Sequence, residues 1–172
     1  IISSVHYLEP AQNGAMCIDA GLSRTQNLLK ERFGGDPLRL ARAYYDLEVQ
    51  NAETFKPDII GHFDLVTKHN RGNAWLDEDS SAYQAIALEA LDAVLDVLAG
   101  YGGMVEVNTG AIARGLRKVP YPAPFRLRHA AQRGARVILT SDSHKTVHLD
   151  AAFQQTLPLL KEAGFRSIAM LK

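Results

Sequence analysis

The sequence lacks several features that mark particular classes of protein. Its single cysteine, Cys17, excludes an intramolecular disulfide and favours a reducing compartment. The longest apolar-rich stretch, residues 82–99, is interrupted by an amide and three carboxylates and therefore predicts no segment that could span a bilayer. The first residues show neither the basic region nor the cleavage pattern of a secretory signal. We therefore expect a cytoplasmic protein that does not bind membranes.

An excess of charge of one sign is also lacking. The 19 Lys and Arg residues balance 19 Asp and Glu residues, so no overall field attracts nucleic acid or an anionic membrane. A short predicted helix around His129 carries Arg126, Arg128 and Arg133, but without interleaved aromatic residues we interpret it as a solvated face. The 172 residues, 47% of them hydrophobic, fit a single globular domain.

Apolar segments that predict strands alternate along the chain with segments that predict helices. The predicted strands are 1–8, 57–64, 104–107, 136–140 and 166–171, and the predicted helices are 22–33, 37–54, 80–100, 125–132 and 147–163. Asp36 followed by Pro37 is typical of a helix start, and residues 9–14, rich in Pro, Asn and Gly, predict a loop. Because no hairpin signals separate the strands, the sequence predicts an α/β fold with parallel strands.

Polar side chains follow four of the predicted strands at the point where each strand ends. They are His6, His62 with Asp64, Glu106 with Asn108, and Asp142 with His144. The carboxyl ends of parallel strands share one face, and neutral imidazoles with carboxylates suit zinc, manganese or iron. Strand alternation also points Asp142 and His144 to the same side, so that both could reach one metal cluster. For Asp64 two interpretations remain open, a partner that orients an imidazole or a cap on the following segment.

In chain order, these segments resemble the histidinol-phosphatases of the polymerase-and-histidinol-phosphatase (PHP) superfamily. The motifs that carry the resemblance are Ser-Val-His-Tyr-Leu at 4–8, Gly-His-Phe-Asp-Leu at 61–65, Glu-Val-Asn-Thr-Gly at 106–110 and Ser-Asp-Ser-His at 141–144, together with Lys68, Arg114 and the Tyr121-Pro122 pair. The resemblance implies a portion of a distorted, TIM-like (β/α)7 barrel with two or three divalent ions. It further implies hydrolysis of a small-molecule phosphate ester, L-histidinol phosphate, to L-histidinol and phosphate in histidine biosynthesis.

The resemblance also implies which side chains bind the metal ions. His6 and His62 would ligate one ion, Asp142 another and His144 a third. No protein nucleophile is implied, because a hydroxide generated by the metal would attack the phosphorus.

Two cations and three polar residues are expected to assist at the same site. Arg114 and Lys68 follow their strand ends closely enough to bind phosphate oxygens, although a solvated surface lysine is an equal interpretation of Lys68. Asp64, Glu106 and Asn108 would support the ligands from behind or contact the substrate.

The sequence departs from the family in one respect, since it contains no H-x-H motif of the kind that supplies ligands near the amino terminus of these phosphatases. We therefore expect residues 1–172 to form one domain that is the carboxyl-terminal part of a PHP barrel and supplies part of the metal cluster. The open sheet edges of such a part favour self-association, which leaves a homo-oligomer open. Two alternative functions also remain, a PHP phosphoesterase acting on nucleotides or other phosphoesters and a non-catalytic truncated module.

Overall fold

A parallel four-stranded sheet forms the centre of the molecule. The computed structural model describes residues 1–8 and 16–171, so the loop predicted at 9–14 lies outside the described residues. The strands lie in the order β1 (Ile2–Ser3), β2 (Ile59–Ile60), β3 (Met104–Asn108) and β4 (Val137–Thr140). They alternate with the helices α1 (Leu22–Phe33), α2 (Pro37–Phe55), α3 (Ser81–Ala99), α4 (Gly110–Ala113), α5 (Pro124–Gln132) and α6 (Phe153–Ala163). The predicted α/β class with parallel strands is confirmed.

The strands lie side by side in the order in which they occur in the sequence, and the helices pack on one another in the same order. Ile2 pairs with Ile59, Ile59 with Met104, and Val105 with Val137. Helix α1 packs on α2, α2 on α3, α3 on α5, and α5 on α6. Each parallel pair needs a crossover, which the helical segments provide. As a result, the carboxyl ends of all four strands lie at one edge of the sheet.

Local capping signals determine where the longest helices begin. The carboxylate of Asp36 accepts the N–H groups of Leu38 and Arg39, and Pro37 occupies the first turn of α2. Ser80 caps α3 in the same way, because its hydroxyl accepts the N–H of Tyr83. The predicted helices at 22–33, 37–54 and 80–100 are confirmed to within a residue or two.

The first two strands are shorter than the sequence predicts. Segment 57–64 forms only two residues of strand because His62 has a φ of 25°, which turns the chain out of the sheet. A 3₁₀ turn at Leu65–Thr67 follows directly. In segment 1–8, only Ile2–Ser3 pairs with the sheet, and Tyr7 instead bridges to Cys17.

The carboxyl-terminal prediction is wrong in two places. The helix expected at 147–163 is broken, because Ala152 lies in the left-handed region with a φ of 64° and α6 begins only after it. A 3₁₀ turn at Thr146–His148 replaces its first part. The strand expected at 166–171 is reduced to a single parallel bridge between Ile138 and Ala169.

The core lies between the sheet and the helices and includes several ionisable groups. Tyr44 and Tyr45 of α2 and Tyr83 of α3 are fully buried, and so is Glu48. Arg126 of α5 is also fully buried, so the prediction that this helix presents a uniformly solvated basic face is wrong at that position. None of the helices in the described part of the chain is both long and apolar enough to cross a bilayer.

Candidate active site

A cavity of about 780 Å³ lies at the carboxyl ends of the strands. The segments that follow β1, β2, β3 and β4 all contribute to its walls. Its polar and charged lining residues are Ser4, His6, Asp19, His62, Lys68, Glu106, Arg114, Tyr121, Asp142, His144, Lys145 and His148. The structure thus brings together every predicted metal ligand, both predicted phosphate-binding cations and Glu106. Asp64 and Asn108 lie behind this lining.

Two of the predicted ligands, His6 and His62, lie side by side. Their ring centroids are 4.8 Å apart, and the planes of the rings are nearly perpendicular. Gly61 makes this approach possible, because a Cβ atom at that position would lie 2.2 Å from the Oγ atom of Ser4. The pairing of the two imidazoles therefore depends on a glycine where the chain after β2 lies against the chain after β1.

The environment of His62 suits a neutral imidazole that is available to a ligand. Its side chain is buried, and Nδ1 has no hydrogen-bond partner among the residues that the structure describes. Burial lowers the pKa of His62, and the neighbouring His6 lowers it further, while Glu106 acts in the opposite direction. The main chain of His62 is held in its strained conformation because its N–H donates to the Oε2 atom of Glu106 at 2.6 Å.

Glu106 and Asn108 tie the end of β3 to its neighbours. The Oε2 atom of Glu106 also accepts from the side-chain amide of Asn108 at 3.0 Å, and its Oε1 accepts from the Thr140 hydroxyl at 2.6 Å. The Oδ1 atom of Asn108 accepts the N–H of Gly110 at 2.8 Å. Both side chains were expected to support the ligands or to contact the substrate. Their contacts favour support, because the oxygens face protein donors.

Asp142, His144 and Arg114 form a second cluster at the cavity. The Nη2 atom of Arg114 lies 3.2 Å from Oδ2 of Asp142, and the Nε2 atom of His144 lies 3.6 Å from Oδ1. Asp142 has a φ of 45°, which turns the chain at the end of β4. A Cβ atom at Gly110 would lie 2.8 Å from Nη2 of Arg114, so the glycine leaves room for the guanidinium group. Arg114 is thereby held at the cavity rather than in bulk solvent.

Asp19 is a site residue that sequence reasoning missed. Its Oδ2 atom lies 3.2 Å from Nζ of Lys68 and 3.4 Å from Nδ1 of His6, and its Oδ1 accepts from the Cys17 thiol at 2.8 Å. Burial raises the pKa of Asp19, but the hydrogen bonds from Cys17 and Lys68 outweigh burial and lower it to about 2. Lys68 is consequently a mostly buried cavity residue and not a solvated surface lysine. No periodic pattern marks Asp19 in the sequence.

Asp64 stands at the N-cap position of the following 3₁₀ turn, but its side chain points elsewhere. It is fully buried; its Oδ1 atom accepts from the Tyr45 hydroxyl at 3.0 Å, and its Oδ2 accepts from the Ala123 N–H and from Nε of Arg126 at 2.6 and 2.8 Å. Its side chain forms no capping hydrogen bond to the following 3₁₀ turn. Asp64 therefore joins the end of β2 to the segment that leads into α5, at the back of the cavity.

The imidazole nitrogens and carboxylate oxygens at the cavity are atoms of the type that binds divalent ions, and the predicted metal ligands form two pairs. One pair is His6 with His62, and the other is Asp142 with His144. Within residues 1–8 and 16–171, no three His, Cys, Asp or Glu side chains converge closely enough to hold one ion. A tightly bound zinc ion usually has four ligands, so further ligands would be needed at either pair.

Comparisons with known proteins support the resemblance drawn from the motifs, although no protein-family model matches the chain. The chain is 32% identical over 168 residues to a Deinococcus radiodurans protein named "Probable histidinol-phosphatase", covering 98% of this chain and 56% of that protein. It is 26% identical over 173 residues to a Schizosaccharomyces pombe protein of the same name, with 99% and 53% covered. The Saccharomyces cerevisiae "Histidinol-phosphatase" is 22% identical over 171 residues, with 90% and 49% covered.

A solved structure shares the fold. The crystal structure of a candidate histidinol phosphatase from Listeria monocytogenes superposes with a TM-score of 0.71 at 22% identity, covering 90% of this chain and 56% of that one. The chain spans about half the length of the curated relatives that it matches. The predicted resemblance to histidinol-phosphatases is confirmed over nearly the whole chain.

Proposed function

We propose that the chain is the carboxyl-terminal part of a metal-dependent phosphatase that hydrolyses L-histidinol phosphate to L-histidinol and phosphate. The observation that carries the proposal is the cavity at the strand ends, which is lined by imidazoles, carboxylates and three cationic side chains. The relatives named histidinol-phosphatase support it, because they match nearly all of the chain. Since the chain spans about half of their length, the activity is proposed for the whole protein.

We also propose that the sheet is a portion of a TIM-like barrel. In a doubly wound sheet the strand order reverses at a switch point, whereas consecutive strands of a barrel are neighbours throughout. The strand order β1-β2-β3-β4 supports the barrel, and so does the packing of the helices in the same sequential order. In either architecture the strand ends form the site, so the functional proposal does not depend on the choice.

The two donor pairs would hold the metal ions. His6 with His62 would contribute to one ion, and Asp142 with His144 to others. When bound, divalent ions would acidify a water molecule to provide a nucleophile at neutral pH and would polarise the phosphoryl oxygens. The neutral, buried imidazole of His62 suits this role, because its Nδ1 atom has no partner in the described chain.

The chain's own cations would bind and orient the phosphate group. Arg114 reaches the cavity from the segment after β3, and Lys68 from the segment after β2. Each is held by a carboxylate, Asp142 and Asp19 respectively, which presets its direction before substrate arrives. Cations positioned in this way stabilise the charge that develops on a transferring phosphoryl group.

The experiment that tests the proposal is a phosphate-release assay on the full-length protein with L-histidinol phosphate. We expect turnover that EDTA abolishes and that added divalent ions restore. His62→Ala should lower kcat at least about a hundredfold, because it removes a ligand rather than a supporting contact. His129→Ala is the matched control, since His129 pairs with Asp92 between α5 and α3, outside the cavity.

Two results would contradict the proposal. Wild-type turnover in His62→Ala would remove the metal-ligand assignment, and turnover that persists in EDTA after dialysis would remove metal dependence. A higher kcat/KM on a nucleoside monophosphate than on L-histidinol phosphate would favour the nucleotide phosphoesterase instead.

A further inference from the structure

Tyr121 is a buried tyrosine that lines the cavity, and its hydroxyl group has no partner among the residues that the structure describes. The residue is 1% exposed, and its Oη atom makes no hydrogen bond to any group within the described part of the chain. The other fully buried tyrosines are satisfied, because Tyr44 donates to Glu48 at 2.7 Å and the Tyr45 and Tyr83 hydroxyls are 2.8 Å apart. A buried hydroxyl without a partner is unfavourable, so its retention at a cavity wall calls for a ligand as an explanation.

The main chain holds Tyr121 firmly at the end of β3. The N–H of Asn108 donates to the carbonyl of Tyr121 at 2.8 Å, and the N–H of Tyr121 donates to the carbonyl of Asn108 at 3.0 Å. On the ring face, the guanidinium carbon of Arg117 lies 5.9 Å from the ring centroid. These contacts fix the main chain of Tyr121, which lines the same cavity as Arg114.

The hydroxyl group is a hydrogen-bond donor at neutral pH. Burial raises the pKa of Tyr121, and the positive charge of Arg117 opposes this only in part. The phenol thus keeps its proton. A donor of this kind complements an anionic oxygen, which accepts hydrogen bonds and has no proton to donate.

We propose that Tyr121 donates a hydrogen bond to a non-bridging phosphate oxygen of the phosphomonoester, alongside Arg114 and Lys68. The inference rests on the proposed function, because it assigns a further substrate contact within the same cavity. No covalent bond changes, and the proton stays on Oη. The contact would satisfy the hydroxyl that is left without a partner in the described chain, and it would add a neutral donor to two cations that bind by charge.

Tyr121→Phe tests the proposal, because it removes Oη and keeps the ring. In the full-length, metal-loaded protein, we expect the dissociation constant of inorganic phosphate, measured by isothermal titration calorimetry, to rise about tenfold or more. The kcat/KM for L-histidinol phosphate should fall by a similar factor. Without phosphate, the free energy of unfolding should not decrease, since the hydroxyl has no internal bond to lose.

Two tyrosines provide matched controls for the same atomic change. Tyr101→Phe removes a hydroxyl that donates to the Pro57 carbonyl on the amino-terminal side of β3, so phosphate affinity should not change. Tyr45→Phe removes a hydroxyl that is hydrogen-bonded in the core, so the free energy of unfolding should decrease.

The outcomes separate this inference from the function on which it rests. If the wild-type protein binds phosphate and Tyr121→Phe binds it equally well, the inference is wrong and the phosphatase proposal stands. If Tyr121→Phe is less stable than wild type without phosphate, the hydroxyl has an internal partner and the inference is again wrong. If the wild-type protein neither binds phosphate nor hydrolyses L-histidinol phosphate, the proposed function fails and the inference fails with it.

Discussion

Breaking the buried ion pair between Asp64 and Arg126 is expected to be one of the most destabilising single changes at the site. Both side chains are fully buried, and the Nη2 atom of Arg126 lies 2.7 Å from Oδ2 of Asp64, in addition to the hydrogen bond from Nε. The guanidinium group also lies over the rings of Phe125 and Tyr83, at 4.4 and 5.4 Å from their centroids. The pair connects the segment that carries His62 to the start of α5.

Replacement of one partner leaves the other charge buried without compensation. We therefore expect Asp64→Asn to lower the free energy of unfolding by about 3–5 kcal/mol, and Arg126→Met to lower it by a similar amount. The double variant Asp64→Asn with Arg126→Met should lose less than the sum of the two, because neither charge remains buried. Arg42→Ala is the control, since Arg42 pairs with Glu89 on the surface and should change stability by less than about 1 kcal/mol.

Urea unfolding followed by far-UV circular dichroism measures these differences. The single tryptophan, Trp75, is buried and provides a second, fluorescence-based signal for the same transition. Coincident transitions are needed before the free energies are compared. A loss below about 1 kcal/mol in Asp64→Asn, or a double variant that loses the full sum, would refute the argument from buried charge.

Three further changes test other features of the fold and site. Gly61→Ala should lower the urea midpoint and turnover, because the new Cβ would meet Oγ of Ser4 at 2.2 Å, and a variant as stable as wild type would contradict this contact. Burial raises the pKa of Glu48 well above its usual value of 4.5, so the folded state holds a proton that the unfolded chain releases above that pH. The contribution of Glu48 to stability should therefore fall as pH rises through 4.5, and Glu48→Gln should be stabilising by more at pH 7 than at pH 4; an equal gain at both would exclude this linkage. Arg114→Lys should raise KM for L-histidinol phosphate more than it changes the free energy of unfolding, since lysine cannot form a two-pronged contact, and an unchanged KM would remove Arg114 from the phosphate site.

Helix boundaries were the most predictable part of the structure. The start of α2 depends on Asp36 and Pro37, and the end of α1 on Gly34, which adopts the left-handed conformation. These signals act within a few residues of the boundary, so a single sequence contains them in full. The break before α6 was missed because it depends on Ala152, a residue type that gives no local warning of a positive φ.

Strand lengths were less predictable, because a strand is defined by partners that are distant in the sequence. Segment 57–64 has the composition of a longer strand, yet its pairing with the neighbouring strands stops at His62. There the chain turns towards the cavity, and the N–H of His62 donates to the carboxylate of Glu106 instead. The same turn explains why Asp64 points into the core rather than towards an imidazole. Neither outcome follows from alternation of apolar and polar residues.

The sequence by itself determined the α/β class, the order of its elements and the set of polar residues at the strand ends, because periodicity, capping and alternation are local properties. The tertiary structure decided which of these residues meet. It brought Asp19 to Lys68, buried Arg126 against Asp64 and left the buried Tyr121 hydroxyl without a partner in the described part of the chain. These outcomes depend on contacts between segments that are distant along the chain, where burial and charge pairing outweigh local preference.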